Sequence, residues 1–145
     1  MSELRPFSVQ MFEEYTCARE YPYLVDSEGN YLIRFRADDD VPALDCWFRS
    51  DANGDVATIA FYTRDRFGAD EAFVMSTCDA WNRTRRWPTA YSLMYDGALE
   101  IVLDGHLIAC HGVSDEQLTE FIDSYIRGAF CFWEELGVAR RLKVA

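Results

Sequence analysis

Two histidines and a cysteine lie close together in the second half of the chain and are the residues best suited to bind a metal ion. His106, Cys110 and His111 carry the imidazole and thiol groups that zinc prefers. The sequence around them alternates as a strand does, which places His106 and Cys110 on one face and His111 on the other. Ligands on opposite faces of one strand cannot converge on one ion, and the sequence holds no second group of ligands. We therefore predict no metal site and no other cofactor, and interpret these residues as a half-buried strand that ends in a loop.

Two groups of aspartates resemble cation-binding loops. Residues 51–55 begin like a calcium loop, but the positions that need glycine and glutamate are occupied by Val56 and Tyr62. Asn53-Gly54 instead predicts a tight two-residue hairpin turn, because this pair adopts positive φ angles readily. The run of three aspartates at 38–40 is interpreted as a solvated loop.

No arrangement typical of nucleophilic catalysis is visible in the sequence. The chain has only two histidines, no Gly-x-Ser-x-Gly elbow and no glycine-rich phosphate loop. Acidic residues are abundant, so hydrolysis by paired carboxylates stays open, but no pair is marked by its spacing. We predict no catalytic residues and no enzymatic activity.

Aromatic and basic residues are concentrated between positions 81 and 88. The segment Trp-Asn-Arg-Thr-Arg-Arg-Trp-Pro holds two of the four tryptophans and three of the fourteen basic residues. Apolar residues recur at helical spacing before it, and the residues after it alternate as in a strand. We therefore predict a corner between a helix and a strand.

Two interpretations of this corner are open. In the structural one, Trp81 seals the helix, Asn82 caps its end, Trp87 begins the strand inside the core, and the arginines lie on the surface near the negative end of the helix dipole. In the functional one, Arg85, Arg86 and Trp87 bind a partner protein, since arginine beside an exposed aromatic ring is typical of interface hot spots.

The chain is strongly acidic, with 25 Asp and Glu against 14 Lys and Arg and a net charge of −11. Residues 64–86 depart from this balance, with five basic and four acidic groups. The overall negative charge repels phosphate backbones, so we predict no nucleic-acid partner. A single cationic segment on an acidic molecule can nevertheless steer an acidic partner peptide.

Cysteine usage and the lack of targeting signals indicate a cytoplasmic protein. The five cysteines are dispersed without a C-x-x-C pair, and their apolar neighbours predict reduced thiols in the core. The first residues lack the basic and apolar regions of a signal peptide, and no apolar run approaches the ~18 residues of a membrane span. We predict no association with membranes.

Periodicity and turn residues predict an α+β fold with the order α-β-β-β-β-α-β-β-α, in which an antiparallel sheet carries helices on one face. Ser8 is predicted to cap the first helix and Pro22 to end it, and Gly137 is predicted to end the last helix, which Ser114 caps. The remaining predicted elements are a hairpin around Gly29, strands at 44–49 and 56–62, and a helix at 69–83. A strand at 89–94 is predicted to pair, across a tight hairpin turn at Asp96-Gly97, with a strand from Ala98 to Cys110.

The pattern Trp-Asn-x-x-x-Arg-Trp, formed by Trp81, Asn82, Arg86 and Trp87, resembles a corner of the YbjN family of bacterial sensory transduction regulators. The flanking features agree with this resemblance. They are an N-terminal helix followed by a glycine-centred hairpin at 26–31, a long strand before Gly112, and a phenylalanine-rich final helix. The resemblance covers residues 7–136 and implies a fold similar to that of type III secretion chaperones, without enzymatic activity.

From the residues and this resemblance together, we expect a single YbjN-like domain over residues 1–145, with a core at 7–136 and a short basic tail at 137–145. The expected function is that of a cytoplasmic, non-enzymatic protein that binds a protein partner or regulates it as a chaperone does. The alternative is a small-molecule sensor or enzyme with a pocket between the sheet and the helices.

We also expect a homodimer. The aromatic content is high, Gly128 permits close approach to the last helix, and Ile126 and Phe130 widen the apolar stripe of that helix. The resemblance to secretion chaperones, which are typically dimers, adds to this expectation.

Overall fold

A computed structural model describes residues 3–38, 41–63 and 71–144. Within these residues the order of elements agrees with the prediction of an α+β fold. The elements are α1 (Gln10–Ala18), β1 (Leu24–Val25), β2 (Tyr31–Phe35), β3 (Leu44–Asp51), a short 3-10 turn (Ala52–Gly54), β4 (Val56–Thr63), α2 (Glu71–Thr84), β5 (Thr89–Tyr95), β6 (Ala98–Ile108) and α3 (Asp115–Val144).

The six strands form one antiparallel sheet in the order β1-β2-β3-β4-β6-β5. Consecutive strands pair through hairpins except at one place, where the chain leaves β4, passes through α2 and returns as β5. Strand β6 then inserts between β4 and β5. As a result, β5 forms one edge of the sheet, and the two-residue strand β1 forms the other.

All three helices cover the same face of the sheet. Alternate residues of the central strands enter one hydrophobic core together with side chains from every helix, as the period of two in a strand requires. Phe12 of α1 stacks on Phe48 of β3 with ring centroids 4.4 Å apart. Trp81 of α2 meets Phe132 of α3 edge to face at 5.4 Å. The predicted arrangement of helices on one face is confirmed.

Contacts between distant parts of the chain fix the N-terminal segment. The N–H of Arg5 donates to the carbonyl of Val113 at 3.0 Å, and the N–H of Val113 donates back at 2.9 Å. The Tyr15 hydroxyl of α1 donates to the Asp123 carboxylate of α3 at 2.5 Å. Helix α1 is therefore held against α3 by polar contacts as well as by the core.

Two predicted helix ends are wrong. Ser8 does not cap α1: the cap position is Val9, and the Ser8 hydroxyl donates to the side-chain oxygen of Gln10 at 2.8 Å. Gly137 does not end α3, which continues to Val144 and so includes most of the segment expected as a basic tail. An interior glycine weakens a helix by about 1 kcal/mol but does not stop it when the flanking residues favour helix. The Ser114 cap is confirmed, because its hydroxyl oxygen accepts from the Gln117 N–H at 3.0 Å.

The two predicted two-residue turns have different outcomes. Tyr95 pairs with Ala98, so Asp96-Gly97 forms the expected tight turn, with φ angles of 52° and 76°. The turn at Asn53-Gly54 is longer, because the last pair of β3 and β4 joins Asp51 to Val56 and leaves four residues between them. Asn53 and Gly54 do have positive φ angles, as predicted, but the preceding residue shares this conformation.

None of the helices in residues 3–38, 41–63 and 71–144 combines the length and the apolar character needed to cross a lipid bilayer.

Candidate functional site

Trp81 is the structural anchor of the helix-to-strand corner. It lies in the last turn of α2, is 4% exposed, and its indole N–H donates to the carbonyl of Pro88 at 2.8 Å. Burial of the ring together with satisfaction of its one donor makes this position stabilising. The predicted role of Trp81 as the seal of the helix is confirmed.

Asn82 pairs with a strand and does not cap its own helix. Its side-chain amide donates to the carbonyl of Ala90 at 2.8 Å, and its side-chain oxygen accepts from the N–H of Ala90 at 2.9 Å. The carboxamide thus makes the two bonds that a neighbouring strand residue would make. The predicted capping role is wrong, because the corner brings β5 within reach of the amide.

Gly128 of α3 allows the corner to pack directly against the helix. A Cβ atom at this position would lie 2.6 Å from Cδ of Pro88 and 3.1 Å from the carbonyl oxygen of Trp87. The Trp87–Pro88 peptide bond is cis. The close approach expected at Gly128 is therefore occupied by the same chain. Ile126 is buried in the core and the Phe130 ring packs against Phe35, so these residues do not supply the surplus surface on which the dimer argument rested.

Trp87 lies on the surface. Its side chain is 47% exposed, and its ring stacks on Tyr125 of α3 with centroids 6.4 Å apart. Strand β5 begins two residues later, at Thr89. The interpretation that Trp87 begins the strand inside the core is wrong, because Trp81 and Pro88 occupy the buried positions of the corner. The ring is thus fixed on one side and accessible to solvent on the other.

The three arginines of the corner have different surroundings. Arg83 pairs with Asp79 one helical turn earlier at 2.7 Å. Arg85 pairs with Glu135 of α3 at 2.5 Å, and its guanidinium lies 5.2 Å from the centre of the Trp81 ring. Arg86 is exposed and makes no ion pair with the residues that the structure describes. Of the residues predicted to bind a partner, Arg86 and Trp87 are therefore free to do so, whereas Arg85 braces the corner.

The residues that suggested metal binding do not form a site. His106 lies on β6, and its Nδ1 is 2.9 Å from the Thr58 hydroxyl of the neighbouring strand. Cys110 and His111 are exposed in the loop after β6. Across residues 3–38, 41–63 and 71–144, no three His, Cys, Asp or Glu side chains are grouped as a metal ion would require.

The aspartate clusters have structural contacts. The Asp51 carboxylate accepts from the Thr58 hydroxyl at 2.6 Å across the hairpin of β3 and β4. Asp38 accepts from the N–H of Val41 at 2.8 Å and so closes its loop. The other two aspartates of the run 38–40 lie outside the described residues.

The cysteines are divided by burial. Cys46 and Cys78 lie in the core, as predicted. Cys17, Cys110 and Cys131 are exposed, so the prediction of five core thiols is wrong for these three. Apolar neighbours in the sequence do not reveal the side of a helix or loop on which a small residue lies.

A cavity of about 480 Å³ lies at one end of the sheet. It is open to solvent and is lined by the N-terminal segment, the turn between β3 and β4, and the loop after β6. Its lining includes Phe7, Asp55, Ala109 and His111. This cavity differs in place from the pocket between sheet and helices that the alternative interpretation expected.

Sequence reasoning missed the exposed apolar residues of edge strand β5. Tyr91, Leu93, Met94 and Tyr95 are 39%, 44%, 63% and 62% exposed, respectively. The strand itself was predicted, but its place at the edge of the sheet follows from the insertion of β6 between β4 and β5. A uniform lack of charge from 87 to 95 was the signal available in the sequence.

Comparisons with known proteins agree with the fold. The family model described as "Putative bacterial sensory transduction regulator", YbjN, matches residues 8–136. Among solved structures, the chain is similar to one described as YbjN, "a putative transcription regulator from E. coli". That similarity has a TM-score of 0.76 and 12% sequence identity, and it covers 95% of this chain and 97% of the other. No curated protein matches. Because the family model covers most of the chain and the fold is shared, this protein belongs to the YbjN family.

Proposed function

We propose that this protein is a non-enzymatic regulator that acts through protein–protein contacts in the cytoplasm, as a homodimer, and holds its partner as a secretion chaperone does. The observation that carries the proposal is the outer side of the corner, where the exposed residue Arg86 directly precedes Trp87, whose ring is half exposed. Membership in a family of regulators is consistent with this role.

The physical character of the corner suits a binding site. Tryptophan and arginine are the residue types most enriched among binding hot spots. The Trp87 ring is held by Tyr125, and the backbone beneath it is held against Gly128, so little conformational entropy is lost when a partner docks. Within the described residues the charge of Arg86 has no ion-pair partner, and on a chain of net charge −11 it favours an acidic segment of the partner protein.

Capture of a partner from the native host tests this proposal. Wild-type protein and the variants Trp87→Ala and Arg86→Ala are used as bait, with Arg36→Ala as the matched control. Arg36 is also exposed and follows β2, which lies four strands away from β5 in the sheet. We expect one discrete protein to be retained by wild type and the control, and to be lost or weakened at least tenfold with the corner variants. Salt should weaken the Arg86 contribution, because exposed charges are screened.

Equal capture by all four proteins would contradict the assignment of the corner as the binding site. The fold of each variant is checked by its melting temperature, which should change little because both side chains are exposed. This check separates a lost contact from a lost fold.

The alternative function, small-molecule sensing, is favoured by the cavity of about 480 Å³ at the end of the sheet. This volume lies within the range of ligand pockets. A ligand that binds there stabilises the native state and raises the melting temperature. If such a ligand is found and His111→Phe abolishes the shift while corner variants do not, the alternative is supported over partner binding.

A further inference from the structure

Strand β5 is a long edge without the protection that edges normally have. Edge strands are commonly short, charged or interrupted by proline, which prevents pairing with other chains. The opposite edge, β1, follows this rule with two residues. Strand β5 has seven residues, Thr89–Tyr95, and none of them is charged. Four of its apolar side chains are exposed on the two faces of the sheet.

The register of the β5–β6 hairpin identifies the backbone groups that face outward. The two-residue turn pairs Tyr95 with Ala98, and in such a hairpin this first pair exchanges both hydrogen bonds. Hydrogen-bonded and non-hydrogen-bonded pairs then alternate along the strand, so the backbone N–H and C=O groups of Leu93 also point toward β6. Ala90, Ser92 and Met94 point their N–H and C=O groups away from the sheet.

Asn82 limits the open part of this edge. Its side-chain amide bonds both the N–H and the C=O of Ala90, as a strand residue would. These two bonds also show directly that Ala90 faces outward. In the described part of the chain, the outward N–H and C=O groups of Ser92 and Met94 have no hydrogen-bond partner. The available edge is therefore short and sharply bounded.

We propose that a second copy of this chain pairs with this edge, antiparallel to it and related by a two-fold axis at Leu93. This inference rests on the proposed homodimer and assigns its interface. In this register Ser92 lies opposite Met94 of the partner subunit, and Met94 lies opposite Ser92 of the partner subunit. All four outward groups on each side are then used, in four hydrogen bonds across the axis. The pairing ends at Ala90, where Asn82 already takes the place of a neighbouring strand.

The side chains favour a second copy as the occupant. A two-fold interface brings the same surface of both subunits together, so that surface must be self-complementary. Leu93 meets Leu93 of the partner subunit in a non-hydrogen-bonded pair, where Cα atoms are about 4.5 Å apart. Tyr91 lies opposite Tyr95 of the partner subunit on the same face. Two chains of net charge −11 repel one another. Because strand β5 is uncharged, the two chains can pair along it without placing like charges opposite each other.

Charge variants at the axis test the proposal. The molar mass of wild type, Leu93→Asp, Leu93→Lys and an equimolar mixture of the two variants is measured by light scattering at micromolar concentration. We expect wild type at twice the 16.8 kDa chain mass and each variant alone near the chain mass. Like charges directly opposite each other should raise the dissociation constant about tenfold or more. The mixture should return to twice the chain mass, since Asp then faces Lys.

Leu24→Asp is the matched control, because Leu24 is 55% exposed on the opposite edge strand. It should remain dimeric. A wild-type protein found only at the single-chain mass would overturn the proposed homodimer and this interface together. A dimer that survives both Leu93 variants, or that Leu24→Asp dissociates, would overturn the β5 interface while the homodimer itself holds. Restoration in the mixture is specific to a two-fold axis at Leu93, since no other register brings these two side chains together.

Discussion

At the residue scale, burial divides the five cysteines into two chemical classes. The thiolate is the reactive form of cysteine, and it requires both access to solvent and a pKa near the ambient pH. Burial raises the pKa of Cys78 to about 11, and it raises the pKa of Cys46 well above its ordinary value. Cys17, Cys110 and Cys131 are accessible.

We therefore expect two phases when the native, unreduced protein is titrated with a thiol reagent near neutral pH. Three thiols, those of the exposed cysteines, should react quickly. The thiols of Cys46 and Cys78 should react only as fast as the protein opens. Denatured protein should give all five, and Cys17→Ser should remove one equivalent from the fast phase alone. Fast reaction of four or five thiols in the native state would show that Cys46 or Cys78 is accessible to the reagent and contradict their burial in the core.

Residue-scale features were predictable where periodicity reports burial. Trp81 falls on the helical stripe of Val74 and Cys78, which places it in the core. The exposure of Cys131 was not predictable, because the residues before and after it, Phe130 and Phe132, are both apolar and do not show which face of the helix is buried. The role of Asn82 was hidden for a different reason: its partner Ala90 comes within reach only after the corner has formed.

At the scale of elements, the contact between α3 and the corner depends on one missing methyl group. A side chain at Gly128 would meet the pyrrolidine ring of Pro88 and the backbone of Trp87. Neither neighbour is the end of a flexible side chain, so neither can move aside without displacing the corner.

Gly128→Ala should consequently destabilise the protein although alanine favours helix. The gain in helix propensity is about 1 kcal/mol, whereas overpacking of a rigid contact costs about 1–3 kcal/mol. We expect a net loss of up to about 2 kcal/mol in the free energy of unfolding, measured by chemical denaturation. Arg127→Ala, at the exposed neighbouring position, should change it by less than about 0.5 kcal/mol. A more stable Gly128→Ala variant would mean that the helix and the corner separate more easily than their contact suggests.

Element identity was more predictable than element ends. Turn residues such as Asp96-Gly97 mark where strands must reverse, because few residues adopt their backbone angles. By contrast, Gly137 is compatible with both a helix interior and a helix end. Its neighbours decide between the two, and the sequence around it carries no stop signal other than the glycine itself.

At the scale of the whole molecule, tyrosine hydroxyls form a set of buried or hydrogen-bonded groups that favour the protonated state. A hydrogen bond to Glu13 raises the pKa of Tyr23 to about 12. Desolvation, followed by a hydrogen bond to Asp104, raises the pKa of Tyr91 to about 12. Burial also raises the pKa of Tyr15 and Tyr125.

These shifts predict alkaline unfolding. A tyrosine whose pKa is higher in the folded state contributes stability that is fully present below its unfolded pKa of about 10. That contribution is lost as pH rises toward the folded pKa, since the unfolded chain then releases the proton first. The melting temperature should thus show no tyrosine-linked change up to about pH 9 and fall above about pH 10. Tyr23→Phe should make that fall shallower. A melting temperature that is constant through pH 11 would contradict the raised pKa values of these tyrosines in the folded state.

Sheet topology was the part of the whole molecule that the sequence could not supply. Each hairpin is encoded locally, in turn residues and alternation. The pairing of β4 with β6 joins segments separated by an entire helix and strand, and no local pattern records it. The exposure of β5 follows from that pairing, so the edge was not visible until the strand order was known.

The bonds that tie α1 to α3 have a consequence for how the chain folds during synthesis. The Tyr15 hydroxyl and its Asp123 acceptor are 108 positions apart. At the ribosomal rate of about 5–20 residues per second, the acceptor is made about 5–20 s after the helix that needs it. Throughout that interval Tyr15 lacks its hydrogen-bond partner on α3. The first helix of the chain is therefore among the last to become fully packed, and completion of the fold coincides with the arrival of the final helix.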